Sequence, residues 1–140
     1  DIYNIFGFTT VSFSLNPISL SSVFANSADV TQTYIFSPLS TLESGSQTKI
    51  VIPSTFPDVS TLTPVPTCSL NITATCAISS HSVIISGYSD ISPGTKVQLM
   101  LSGTLNPTSA LLTTQSPSGF YIQSQNSNGK QIAYSEFPVL

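Results

Sequence analysis

Few residues in this chain have the type and spacing for chemistry. Cys68 and Cys76, its two cysteines, enclose Ser-Leu-Asn-Ile-Thr-Ala-Thr. As a disulfide they would staple a hairpin or a strand end, closing a loop whose entropy contributes roughly 2–3 kcal/mol at most. As a metal pair they would need two more ligands, and the single histidine, His81, cannot complete a tetrahedral site. The disulfide reading implies an oxidising compartment, so the chain is expected outside the cell or at its surface. Between the cysteines, Asn71-Ile72-Thr73 is an N-glycosylation acceptor, whereas Asn106-Pro107-Thr108 is blocked by its proline. The Ser/Thr/Pro stretch 54–67 suits O-linked sugar or a stiff loop equally.

Catalysis has little to work with. His81 invites pairing with a serine and with Asp58 or Asp90, but no Gly-x-Ser-x-Gly elbow surrounds any serine. A surface or strand-edge histidine is the plainer reading. Asp1, Asp29, Glu43, Asp58, Asp90 and Glu136 are dispersed and form no calcium-loop pattern. The expectation is a protein that is not an enzyme, with no catalytic residues, no metal and no cofactor.

The elements that would position these residues are β-strands. The chain has 140 residues, enough for one domain with a core. It contains 26 Ser and 17 Thr, three lysines, no arginine and a net charge of −3. Hydroxyls and amides therefore meet water in place of charges, and threonine suits a pleated surface. With 40% apolar residues, among them eight Phe and five Tyr, the composition argues against disorder. The lack of a basic patch makes nucleic acid an unsuitable partner. No apolar run approaches the ~18 residues of a bilayer span. The opening Asp1-Ile-Tyr-Asn, without a basic region or initiator Met, reads as the start of a mature or excised segment.

Strict alternation marks the clearest strands. After the Pro93-Gly94 turn, Val97, Leu99 and Leu101 point one way and Lys96, Gln98 and Ser102 the other, until Asn106-Pro107 closes the stretch. The stretch 42–52 repeats the glycine turn, lysine and alternation, and 11–17 repeats the strand with its Asn-Pro stop. Further strands are read at 30–36, 49–52, 81–86, 120–125 and 130–134. Asn128-Gly129 reads as a two-residue hairpin turn in which both residues tolerate positive φ. No window shows helical periodicity, and ten prolines are scattered through the chain. Seven or so short strands predict an all-β antiparallel sandwich. Its core is expected to hold Val30, Tyr34, Phe36, Ile50, Ile52, Val83, Ile85, Val97, Leu99, Leu101, Ile122 and Ile132.

The chain divides into an N-terminal strand segment at 1–17, a serine-rich connection at 18–29 and the sandwich proper at 30–140. The first segment, with Ile2, Ile5, Phe6, Phe8, Val11, Phe13 and Leu15, has two readings. It is either the first strand of its own sandwich or a strand donated to a neighbouring copy. The second reading is the one carried forward, since each large side chain buried in a neighbour contributes about 1.5–3 kcal/mol.

The order Tyr-Ile-Phe-Ser-Pro (34–38), Leu-Glu-Ser-Gly (42–45), Lys-Ile-Val-Ile-Pro-Ser-Thr-Phe-Pro (49–57), two cysteines, Val-Ile-Ile-Ser-Gly (83–87), Pro-Gly-Thr-Lys-Val-Gln-Leu (93–99) and Leu-Asn-Pro-Thr-Ser (105–109) carries a resemblance. Over residues 30–134 it is similar to the immunoglobulin-like tandem modules of large surface proteins of ciliates and related protists. That resemblance implies an extracellular immunoglobulin-like β-sandwich with a structural role, and no catalytic residues. The segment 1–15 more loosely resembles the exchanged N-terminal strand of pilus-type fibre subunits. The expected function is a structural subunit of an extracellular or cell-surface, pilus-like filament, with copies of itself as partner, possible attached glycans and no membrane span. The alternatives are one repeat of a long tandem surface protein, or an adhesin or lectin-like module using loop-borne Tyr88 and Tyr121.

Overall fold

The computed structural model describes residues 13–22, 24–107 and 119–138. They form two five-stranded antiparallel sheets, packed face to face as a β-sandwich. The strands are β1 (Phe13–Leu15), β2 (Ser19–Leu20), β3 (Val30–Pro38), β4 (Gln47–Val51), β5 (Thr67–Leu70), β6 (Thr75–Ser79), β7 (Ser82–Ser86), β8 (Val97–Thr104), β9 (Tyr121–Gln125) and β10 (Gln131–Glu136). The first sheet has the order β1-β3-β8-β5, with β2 also on β3; the second has the order β10-β9-β4-β7-β6.

Alternation places the core. Along β3, Val30, Gln32, Tyr34, Phe36 and Pro38 turn inward, and Val97, Leu99 and Leu101 of β8 do the same beside them. Ile50, Val83, Ile85 and Ile122 cover this layer from the second sheet. Every described core residue expected from the alternation is buried. The side chain of Ile132 lies outside the described residues. Sequence reasoning missed Ile18, Leu42, Phe56, Val59, Tyr88, Ile91, Phe120 and Phe137, all buried and all outside or at the ends of strands. Tyr34 gathers several of them: its ring lies 6.1 Å from Phe120 and 5.6 Å from Phe137, and Phe120 lies 5.4 Å from Phe56. Aromatic pairs at such separations stabilise by about 0.5–1.5 kcal/mol beyond their burial.

Three local expectations need correction. β1 does end just before Asn16-Pro17, but the chain does not leave the sheet there: β2 resumes along β3, with Phe13 opposite Pro38 and Leu20 opposite Gln32. Proline is tolerated because this is a sheet edge, where one side of the backbone needs no ladder partner. The sandwich therefore begins before Val30, and part of the serine-rich connection is strand, with Ile18 in the core. The β9–β10 hairpin is where Asn128-Gly129 put it, but its turn is different. Only Gly129 has positive φ, at 80°, and Gly129 N–H donates to Asn126 O over 2.9 Å. The Asn126 side chain accepts from the N–H groups of Asn128 and Lys130, giving a three-residue loop with a glycine bulge.

The cysteines form the expected disulfide, but not across a hairpin. Cys68 is in β5 of the first sheet and Cys76 in β6 of the second. The bond therefore ties the two sheets together along one side, under an arch at 71–74 whose Ile72 and Ala74 pack on the core.

Two polar clusters interrupt the interior. The Tyr34 hydroxyl donates to Gln32 Oε1, while Gln32 Nε2 has no hydrogen-bonding partner among the described residues. Burial pushes the Tyr34 phenol far above its ordinary value. Near the other end, the Tyr88 hydroxyl meets Ser46 Oγ at 2.9 Å and Thr48 Oγ1 at 3.0 Å, and Thr48 continues to Ser124 Oγ at 2.9 Å. All four residues are buried.

The first cluster generates a test. Tyr34→Phe leaves both polar atoms of Gln32 unpartnered and should cost about 1–3 kcal/mol in urea unfolding. Replacing Gln32 by Leu as well should recover most of that loss, because no buried polar atom is then orphaned. The raised phenol pKa makes the wild-type fold lose stability as pH rises above about 10, where the unfolded tyrosine ionises and the folded one does not. The Tyr34→Phe chain should show a shallower loss over that range.

Candidate functional site

The sandwich has two poles. β3 ends at Pro38 beside the start of β8, β5 ends nearby, and β6 begins across the arch. At the other pole lie Val30, Thr104 and Thr67, with Ser79, Tyr121 and Glu136 of the second sheet. The edge strand β1 starts at the Pro38 pole and β10 ends at the Val30 pole. The described path therefore runs through the sandwich from one pole to the other.

Of the residues proposed for strand donation, Ile2, Ile5, Phe6, Phe8 and Val11 lie outside the described residues. Phe13 and Leu15 pair with Pro38 and Phe36 of their own chain. Phe13 is buried with its ring edge-on to Phe36 at 5.7 Å, and Leu15 packs against the core. Both side chains fall on the row that the edge strand turns toward the sandwich, so burial within the chain is available to them locally.

Asn71 sits where β5 leaves its sheet. Its Nδ2 donates to Lys96 O at 2.9 Å, its Oδ1 accepts from Gln98 N–H at 2.8 Å, and its own N–H donates to Gln98 O. The side chain thus extends the β5–β8 ladder beyond the last strand residue. It is exposed, and Nδ2 keeps one hydrogen outside the Lys96 bond, the position an N-linked sugar would take.

His81 lies in the β6–β7 turn. Its Nε2 faces Phe56 O at 2.8 Å, which requires that nitrogen to donate. Asp58 is close, but its carboxylate takes the Ser60 hydroxyl at 2.6 Å and the Ser60 N–H at 2.9 Å. The Ser60 hydroxyl chiefly holds the Asp58 carboxyl below its ordinary range; desolvation opposes, and the Ser60 N–H, His81 and Ser80 add to the lowering. The cluster works as a clasp between the 3-10 turn Val59–Thr61 and the β6–β7 turn, where Val59 N–H also donates to Ser80 O. Among the described residues no three His, Cys, Asp or Glu side chains gather as metal ligands. No helix among them is long and apolar enough to cross a membrane.

Tyr88 is loop-borne, between β7 and β8, but it is buried and its hydroxyl serves the interior cluster. Tyr121 is on strand β9, facing out from the second sheet. It stacks on Tyr134 of β10, with ring centres 5.2 Å apart and planes 23° apart. Gln123 and Gln125 share its face, and Lys49 lies opposite Gln123. This outward patch of aromatic and amide groups was invisible in the sequence beyond Tyr121, because cross-strand register brings Tyr134 diagonally alongside.

Three apolar side chains stand out at the poles. Phe24 (75% exposed) and Val65 are at the Val30 pole, and Leu39 is at the Pro38 pole. Each pole also carries a hollow: one of about 420 Å³ lined by Leu62, Pro64, Val65 and Leu105, and one of about 300 Å³ lined by Ile72, Tyr88, Ile91 and Thr95.

The Asn71 bracket can be tested in protein made without glycosylation. Asn71→Ala should lower stability by about 1 kcal/mol through loss of two backbone partners. Asn71→Asp should lower it further in thermal unfolding at neutral pH, because a carboxylate then faces Lys96 O. Comparison with protein-family models, with curated proteins and with solved structures finds no match to this chain.

Proposed function

We propose that this chain is a structural module of an extracellular or cell-surface fibre or array, an immunoglobulin-like sandwich that joins its neighbours pole to pole. The observation that carries the reading is the path of the chain, with β1 starting at one pole and β10 ending at the other. Units built this way can follow one another in a line, whether linked covalently in tandem or joined by a passed strand. The sheet order supports the immunoglobulin-like assignment. Taking β1 and β2 as one edge, β1-β3-β8-β5 opposite β10-β9-β4 follows the ABED and GFC orders, with the β6–β7 hairpin added beside β4. The disulfide is consistent with an oxidising environment, and a hydroxyl-rich, charge-poor surface suits one covered by neighbours or by sugar at Asn71.

The donated strand, on this reading, is narrowed to the residues ahead of β1: Ile2, Ile5, Phe6, Phe8 and Val11. Phe13 and Leu15 belong to the donor's own sandwich. Negative-stain imaging of native material should show linear assemblies with a repeat of one module. A chain lacking 1–12 should keep the wild-type urea midpoint and lose assembly. Single particles in native material would end the array reading, and normal filaments from the shortened chain would end strand donation alone.

A second reading is favoured by the Tyr121–Tyr134 stack. Aromatic rings flanked by Gln123, Gln125 and Lys49 offer apolar faces to sugar C–H groups and amide donors and acceptors to its hydroxyls. A glycan array probed with the monomer should give selective binding that Tyr134→Ala abolishes; an array blank for wild-type protein rejects a lectin role.

A further inference from the structure

The outer face of the second sheet holds two tyrosines against each other within reach of solvent. Tyr121 on β9 lies opposite Glu136, and Tyr134 on β10 lies opposite Gln123, so the two are diagonal neighbours. Long side chains on adjacent strands still meet at that spacing. Here the rings stack, with centres 5.2 Å apart and planes 23° apart. Tyr134 is 54% exposed and Tyr121 is half-buried. The backbone under Tyr121 is fixed from both sides, by the β9–β10 and β9–β4 ladders. Of the other tyrosines, Tyr3 lies outside the described residues, while Tyr34 and Tyr88 are buried with their hydroxyls bonded inside the sandwich. The chain has no tryptophan, and its two cysteines are bonded to each other. A one-electron oxidant at the surface therefore meets neither indole nor thiol, but two phenols side by side.

We infer that Tyr121 and Tyr134 are a modification site, coupled within one chain into a dityrosine bridge by hydrogen peroxide and a haem peroxidase. Each phenol gives up one electron and one proton, leaving two tyrosyl radicals, and these two electrons and two protons reduce one peroxide to two waters. The radicals join through a new C–C bond between ring carbons next to the hydroxyl-bearing carbon, one Cε from each ring. The hydrogens on those carbons then pass as protons, through water, to the phenolic oxygens, which restores both aromatic rings and both hydroxyls. Stacking supplies the encounter, since neither radical has to diffuse to its partner. The Cys68–Cys76 disulfide is consistent with the oxidising surroundings in which peroxide chemistry runs. β10 is an edge strand held by β9 alone, and the bridge fastens it covalently, constraining the unfolded chain as a disulfide does. The bond needs only the oxidant and the paired rings, so it is independent of whether the module joins an array or binds sugar.

Tryptic mapping supplies the test, because with three lysines and no arginine the chain is cut only after Lys49, Lys96 and Lys130. Tyr121 then falls in peptide 97–130 and Tyr134 in 131–140, with Tyr88 in 50–96 and Tyr3 and Tyr34 in 1–49. The full-length chain is treated at low micromolar concentration with hydrogen peroxide and a plant haem peroxidase, and the monomer is isolated and digested. Wild-type monomer should gain dityrosine fluorescence, lose two hydrogens in mass and yield 97–130 joined to 131–140. Tyr121→Phe and Tyr134→Phe should each cut that fluorescence at least about tenfold, with circular dichroism spectra unchanged. Native material digested without added peroxide should contain the same joined peptide. Dityrosine formed only between copies overturns the pairing, as does a monomer bridge between other peptides or an undiminished yield from Tyr134→Phe. Native material that gives only the separate peptides overturns the modification.

Discussion

Everything in this molecule follows from two half-apolar sheets that must cover one another. Val97, Leu99 and Leu101 on β8, with Tyr34 and Phe36 on β3, form one inner face; Ile50, Val83, Ile85 and Ile122 form the other. Neither face is stable against water alone, and each large side chain buried between them stabilises by about 1.5–3 kcal/mol. With so few charged residues there is no electrostatic alternative. The chain therefore crosses repeatedly between sheets, and those crossings decide where its remaining residues lie.

The crossings also explain the polar interior. Where β3 passes into β4 and β7 into β8, Leu42 and Ile91 exchange a pair of backbone hydrogen bonds, and the Ser46–Tyr88–Thr48–Ser124 chain fills the adjoining space. Hydroxyls suit this position because each both donates and accepts, so a short chain of them can be satisfied without water. Gln32 is less well served, since only its Oε1 has a partner among the described residues. The disulfide acts on the same constraint from outside, fastening edge strands of opposite sheets where no ladder can join them.

The proposed structural role draws on surfaces and poles. His81 and Asp58 come close, and the bonds of His81 Nε2 to the Phe56 carbonyl and of Asp58 Oδ1 to Ser60 make them part of a clasp between turns. Asn71 extends the ladder and also heads an Asn-Ile-Thr triplet, so a sugar there would share its side chain with the structure. The stacked tyrosines of the second sheet and Phe24 at the Val30 pole are the aromatic groups the described residues leave exposed or half-exposed.

By itself, the sequence determined what depends on neighbours in the chain: the period-two strands at β3, β4, β7, β8 and β9, the described core residues on them, the hairpin before β10 and the all-β class. These are legible because a strand places its side chains by local geometry alone. The tertiary structure decided the rest. It put Cys68 and Cys76 in opposite sheets, folded Phe13 and Leu15 onto β3, buried Tyr88 and Ile18, and joined Tyr121 to Tyr134. It also set Asn106, which reads as a strand stop, to donate from its side chain to the Ser22 and Phe24 carbonyls across the sandwich. None of these has a local signature, because each arises from residues brought together across the sandwich, and the period-two pattern of one strand cannot say which other strand will lie beside it.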